Sequence, residues 1–299
     1  MADGYKDDAA WAARVEDRLR RLESRRDPPQ LSGGYGVPGP GPNGVPDAIF
    51  WWEADDAGAS YEDGDIVSFW RSKVGGYVAF SAFEIPGFGS LDQPIYRATA
   101  IGGKPAIEFD GHDVGEDPIP GTQFWTTDIL LNIDVLEMYV LWRLDTLFTT
   151  AGGIIIVESG LTEAADNYFG FSTDHQAFAA PDVIYSAAHY QTNGAVWTAN
   201  IQPLALGTPY LSHARFKLTG PELDVNNASS SGGSGGGGNT AKFASNKLWF
   251  GRRDPTSGHA TSNPTFEGVI AAIVGFNREL TTTERSQVWN YFNDKYSLV

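Results

Sequence analysis

The chain has no cysteine, so neither disulfide staples nor thiolate metal sites are open to it. Its redox compartment therefore leaves no mark on the sequence, and stability has to come from burial. Basic residues are scarce too: 21 Lys and Arg stand against 37 Asp and Glu, a formal charge of −16. A surface of that sign lacks the positive footprint that nucleic acid requires, and anionic lipid headgroups repel it. There is no run of about 18 apolar residues, so no membrane-inserted helix is expected. The opening Met1-Ala-Asp-Gly-Tyr-Lys-Asp-Asp has no basic-then-apolar leader pattern. A soluble protein made in the cytoplasm is the expectation.

What is abundant is turn formers and rings: Gly 35, Pro 17, Trp 9, Tyr 12 and Phe 17. That mixture suits many strands joined by many turns, and single all-β domains of about 200–250 residues are ordinary. Two segments at the N-terminus differ from the rest. Residues 1–27 read as a helix, free of Gly and Pro from Tyr5 to Arg26. Ala12, Val15, Leu19 and Leu22 alternate by three and four, the a and d positions of a heptad. So short a helix is marginal alone in water, so its seam needs a partner. Self-association, docking into a larger assembly and folding back onto the β domain all supply one. Residues 28–46 are Gly/Pro-rich, with Gly36-Val-Pro, Gly39-Pro-Gly, Gly41-Pro-Asn and Gly44-Val-Pro. Too few triplets are present for a collagen helix, and a semi-extended spacer is predicted.

Residues 47–299 form the main domain, and its last stretch organises the rest. Val269 to Phe276 is a nearly unbroken apolar run, the pattern of a strand covered on both faces. After a turn, Thr281 and Glu284 make a capping-box pattern. Val288, Tyr291, Phe292 and Tyr296 then fall at helical spacing and lay one apolar stripe on a larger surface. Upstream strands are predicted at 49–53, 66–70, 106–109, 138–143, 154–157, 168–172, 183–186, 215–218 and 248–251. Trp51 and Trp52, adjacent on a strand, must point to opposite faces. The fold class is therefore all-β: a two-sheet antiparallel sandwich, with an N-terminal helix, a Gly/Pro linker and a short C-terminal helix.

Three stretches carry a resemblance. The end of the chain reads Phe266-Glu-Gly-Val-Ile-Ala, Gly275-Phe-Asn-Arg-Glu-Leu-Thr and Tyr291-Phe-Asn-Asp-Lys-Tyr. Ile49-Phe-Trp-Trp-Glu-Ala-Asp-Asp with Gly64-Asp-Ile-Val-Ser-Phe-Trp lies near the start, and Pro105-Ala-Ile-Glu-Phe-Asp-Gly between. Together, over about residues 46–299, they resemble the concanavalin A-like lectin/glucanase superfamily, in particular the laminin-G-like jelly rolls of bacterial and bacteriophage surface proteins. The helix–spacer–head layout is similar to trimeric phage fibre and tail proteins. That resemblance implies a virion component of a tailed bacteriophage: a minor tail, fibre or capsid-decorating protein. Its partners would be itself as a homotrimer, other virion proteins and a host-surface glycan. A purely structural decoration protein and a carbohydrate-active hydrolase stay open beside it.

A glycosidase needs paired carboxylates, which the glucanases of this superfamily carry on one strand as Glu-x-Asp-x-Glu or Glu-x-Asp-x-x-Glu. Glu53-Ala-Asp55-Asp and Glu222-Leu-Asp224-Val-Asn226 begin that way and lack the second Glu. No Gly-x-Ser-x-Gly elbow is present. No catalytic residue is assigned, and the chain is expected not to be an enzyme. His112, His175, His189, His213 and His259 show no metal spacing and read as loop or strand-edge residues. Asp110, Asp113, Glu116 and Asp117 form the densest acidic turn, of a kind Ca²⁺ takes, and the resemblance makes calcium the one cofactor to consider. Trp125, Tyr190 and Trp197, read as lying in turn-rich segments, are the candidates for stacking on sugar.

Overall fold

The computed structural model describes residues 37–81, 93–110, 124–126, 135–146, 154–159, 168–173, 184–192, 195–217, 220–226, 228–229, 248–251 and 266–298. The heptad residues Ala12, Val15, Leu19 and Leu22 lie outside them, as do Asp113, Glu116 and Asp117.

The described strands form two eight-stranded antiparallel sheets. Sheet A holds β1 (Ala48–Glu53), β4 (Ile95–Ile101), β5 (Lys104–Phe109), β7 (Val135–Leu144), β12 (Pro209–Lys217), β13 (Gly220–Val225), β14 (Ala228–Ser229) and β16 (Gly268–Phe276). Sheet B holds β2 (Phe69–Arg71), β3 (Val78–Ser81), β6 (Phe124–Thr126), β8 (Ile154–Ser159), β9 (Tyr168–Thr173), β10 (Ile184–Thr192), β11 (Ala195–Leu204) and β15 (Leu248–Phe250). Their inner faces meet in one core, where Trp52 of sheet A touches Phe250 of sheet B edge-on and Phe109 likewise meets Phe124. The molecule is the all-β sandwich that the sequence predicts.

β16 is the centre of sheet A. It pairs with β7 along its whole length on one side, and with β5 and then β1 on the other. Every residue of it is buried, because its outer face is covered as well. There α2 (Thr282–Tyr296) lays Val288, Phe292 and Tyr296 against Val269, Ala271, Ala272, Val274 and Phe276. A bulge between Ile270 and Ala272 shifts the alternation, so Ile270 and Ile273 still reach the inner core. The helix starts as its sequence dictates: Thr281 accepts a hydrogen bond from the Glu284 N–H, and Glu284 returns one from the Thr281 N–H. Trp52 is in the inner core, whereas Trp51 lies on the outer face against Tyr291.

Two sequence expectations change. The segment predicted as a strand at 66–70 crosses between sheets: Ile66 bridges to Ile95 of sheet A, and only Phe69–Arg71 pairs with β3. The described end of the Gly/Pro segment is not a free spacer either. Gly39 pairs with Ala48, Pro42–Gly44 forms a 3-10 turn, and Pro42 and Val45 are buried. Glycine is demanded at Gly102, whose φ is +55° and where an added Cβ would overlap the Tyr296 carbonyl. A short helix, α1 (Ala54–Ala57), follows β1.

Candidate functional site

On the outer face of sheet A, three adjacent strands place three side chains in a row. Tyr139 of β7 lies opposite His213 of β12, and His213 lies opposite Asp224 of β13. The phenol and imidazole rings stack, with centroids 4.1 Å apart and planes at 10°. Cross-strand neighbours on one face are close enough for this by geometry alone. Each nitrogen of His213 faces a carboxylate oxygen: Nδ1 stands 3.1 Å from Asp224 and Nε2 3.0 Å from Glu137.

Glu137, two residues before Tyr139, is 0% exposed. Its carboxylate accepts from Arg285 of α2 at 2.7 Å and from the Leu280 N–H at 2.9 Å. Burial by itself would raise its pKa; the bonds to His213, Arg285 and Leu280 outweigh it and hold the carboxyl below its ordinary value. Burial, and then the negative charge of Glu137, push the Tyr139 phenol well above its ordinary range, so it stays a neutral O–H. That hydroxyl is buried and has no hydrogen-bond partner.

Beside this row lies a cavity of about 440 Å³, lined by Tyr139, Leu211, His213 and Asp224 from the sheet and by Thr282, Arg285, Ser286, Trp289 and Asn290. It combines an aromatic floor, a half-buried indole, a carboxylate and hydroxyl and amide groups, which is how small-molecule sites are composed.

A second ionic cluster sits further along the helix. Glu53, also 0% exposed, takes Lys295 at 2.9 Å, Lys73 at 2.6 Å and the Tyr291 hydroxyl at 2.9 Å. Lys295 also pairs with Asp55. The carboxylates that opened a glucanase-like pattern are thus spent on bolting α2 to β1. At Glu222, Arg215 and Lys217 take the carboxylate.

The predicted ligand residues fall elsewhere and do not converge. Trp125, Tyr190 and Trp197 lie on strands β6, β10 and β11, not in turns. Tyr190 and Trp197 are cross-strand partners, while β9, β8 and β15 separate their hairpin from the strand of Trp125. Asn193-Gly194 between β10 and β11 is the two-residue hairpin signal that marks both strands in the sequence. Asp110 is exposed at the end of β5. Among the described residues no three His, Asp or Glu side chains gather as for a metal ion. His213 corrects the reading of the histidines as loop or edge residues: it is buried in an inner strand because two carboxylates hold it.

No protein-family model and no curated protein sequence matches the chain. Among solved structures it is similar to domain 4 of a GH43 extracellular arabinanase of Geobacillus stearothermophilus, in complex with arabinotriose. The TM-score is 0.55 at 10% identity, over 82% of this chain and 98% of that domain. Trypanosoma rangeli sialidase matches at TM-score 0.46 and 14% identity, over 94% of this chain but only 38% of the sialidase. A receptor binding domain matches at TM-score 0.49 and 9% identity, over 82% of this chain and 50% of its own. The likeness to the arabinanase domain is one of fold, a β-sandwich. It also overturns the expectation of a chain outside the enzymes, because the matched domain is itself part of a GH43 arabinanase.

Proposed function

We propose that the protein is a carbohydrate-binding β-sandwich, carried on the virion of a tailed bacteriophage and presented to host-surface glycans. The observation that carries the binding reading is the likeness over 98% of a domain seen with arabinotriose. The phage setting follows from the layout of the sequence: a heptad helix over residues 1–27, a Gly/Pro segment and a globular head. In a minor tail, fibre or decorating protein, Ala12, Val15, Leu19 and Leu22 would gather three copies, and several weak sites would then act together. Aromatic side chains at Trp125, Tyr190 and Trp197 would stack on sugar, with Asp110, Asp113, Glu116 and Asp117 as a calcium loop.

The test is an array of glycans and cell-wall polysaccharides, arabinotriose among them, probed with the full chain with and without EDTA and assayed for released sugar. Retention on a defined glycan is expected, and loss of it in EDTA would assign the Asp110 loop to calcium. Silence on every saccharide overturns the reading, while released product would make the site hydrolytic. Sedimentation of the full chain at micromolar concentration checks the coil: a trimer is expected, and a monomer refutes that part.

A further inference from the structure

The cavity beside α2 has properties that select among ligands. Its volume of about 440 Å³ lies within the roughly 300–1,000 Å³ of small-molecule pockets. Trp289 lines it and is only half buried, and Thr282, Ser286 and Asn290 stand exposed at the helix side of the opening. Asp224, with its side chain 22% exposed, brings a carboxylate to the same space. An apolar ring face beside several hydroxyl-seeking groups suits a sugar, which has one C–H face and an edge of hydroxyls.

Charge narrows the class. The cation lining the cavity, Arg285, is already held by Glu137 at 2.7 Å and Glu279 at 3.2 Å. No charge is left to receive a carboxylate or phosphate, and Asp224 repels one. In the lining, the Tyr139 hydroxyl is a buried donor with no partner, a state that is costly and rare in native interiors.

We propose that this pocket binds one neutral saccharide unit, with Trp289 stacking on the ring and Asp224 and Tyr139 bonding its hydroxyls. The proposal rests on the carbohydrate-binding reading above and locates it at a place the sequence does not mark. The Tyr139 hydroxyl is covered, so the sugar reaches it after a side-chain adjustment of the kind common on binding.

Calorimetric titration of the full chain tests it, using neutral hexose and pentose oligosaccharides with a uronic-acid oligomer as charged control. Binding of a neutral oligosaccharide is expected, weakened about tenfold by Trp289→Ala and several-fold by Asp224→Asn. Tyr139→Phe should also weaken binding while leaving the melting temperature unchanged or raised, so it serves even if Trp289→Ala proves poorly folded. Neutral-sugar binding undiminished in Tyr139→Phe and Asp224→Asn overturns the pocket and leaves the glycan reading intact at another place. Preference for the uronic-acid oligomer overturns the charge argument. A wild-type chain that binds no saccharide removes both proposals at once.

Discussion

The two faces of sheet A bury their residues by different means. The inner face packs on sheet B in a dry aromatic interior where these indole N–H groups find neutral acceptors: Trp52 donates to the carbonyl of Trp70 in sheet B, Trp70 to the Glu53 carbonyl and Trp142 to the Ser212 hydroxyl. The outer face buries two carboxylates outright, Glu53 and Glu137. α2 answers each with a cation, Lys295 near its end and Arg285 near its start, and places Val288 and Phe292 between them. Apolar burial is non-directional and tolerates a sliding helix. Two ion pairs at opposite ends fix its position along the strands. The outer face thus trades cohesion for register, and the polar row at Tyr139 is a by-product that leaves room for chemistry.

That contrast predicts different pH behaviour for mutations on the two faces. Trp52→Ala removes a fully buried inner side chain and should cost about 4 kcal/mol in denaturant unfolding. The loss should be the same at pH 7 and pH 4, because no titrating group is removed. Glu137→Gln should cost about 3 kcal/mol at pH 7, at the low end for a broken buried pair since Arg285 keeps Glu279. Here the sign of the pH effect is fixed. A carboxyl whose folded pKa is lowered stabilises above its ordinary value of 4.5, and that contribution fades as pH falls through the folded value. The gap between wild type and Glu137→Gln should therefore shrink in acid. A gap that stays constant would show that Glu137 acts through packing, and the two faces would differ less than argued.

What was legible in the sequence were features written in neighbouring residues. The apolar run Val269–Phe276 announces a strand covered twice, and Thr281 with Glu284 announces a helix start. That Trp51 and Trp52 face opposite ways follows from alternation, whereas only the fold shows that Trp52 is the inner one. The candidate site was not legible, because register creates it: His213 meets Glu137 across 76 residues. No local pattern tells which residues of β7, β12 and β13 will stand side by side. One trace of it is local. Arg285 and Lys295 fall on the same helical stripe as Val288 and Phe292, so cations at both ends of an apolar face pointed to buried acids across from them. Tyr190 and Trp197, expected in turn-rich segments, lie on paired strands instead, and the Asn193-Gly194 dipeptide between them is the local signal for that pairing.

The smallest effect tests the entry of the helix. Arg278, through two hydrogen bonds, and then the Thr281 N–H hold the Glu284 carboxyl down to about 2. Its contribution is complete above the ordinary 4.5 and is lost only as pH falls toward 2. Glu284→Gln keeps a group able to accept from the Thr281 N–H but gives up the charge beside Arg278 and the helix N-terminus. The cost should be about 1 kcal/mol at pH 7 and should vanish near pH 2, a smaller and more acid-shifted change than at exposed carboxylates. Because the capping box begins at the residue after Leu280, whose N–H binds Glu137, loosening it should also weaken the grip on the outer face. Combining Glu284→Gln with Glu137→Gln should then cost less than the sum of the two, as coupled neighbours do. Strict additivity would mean that the helix start and the buried carboxylate hold the outer face independently, and that α2 is anchored by its ion pairs rather than by its entry.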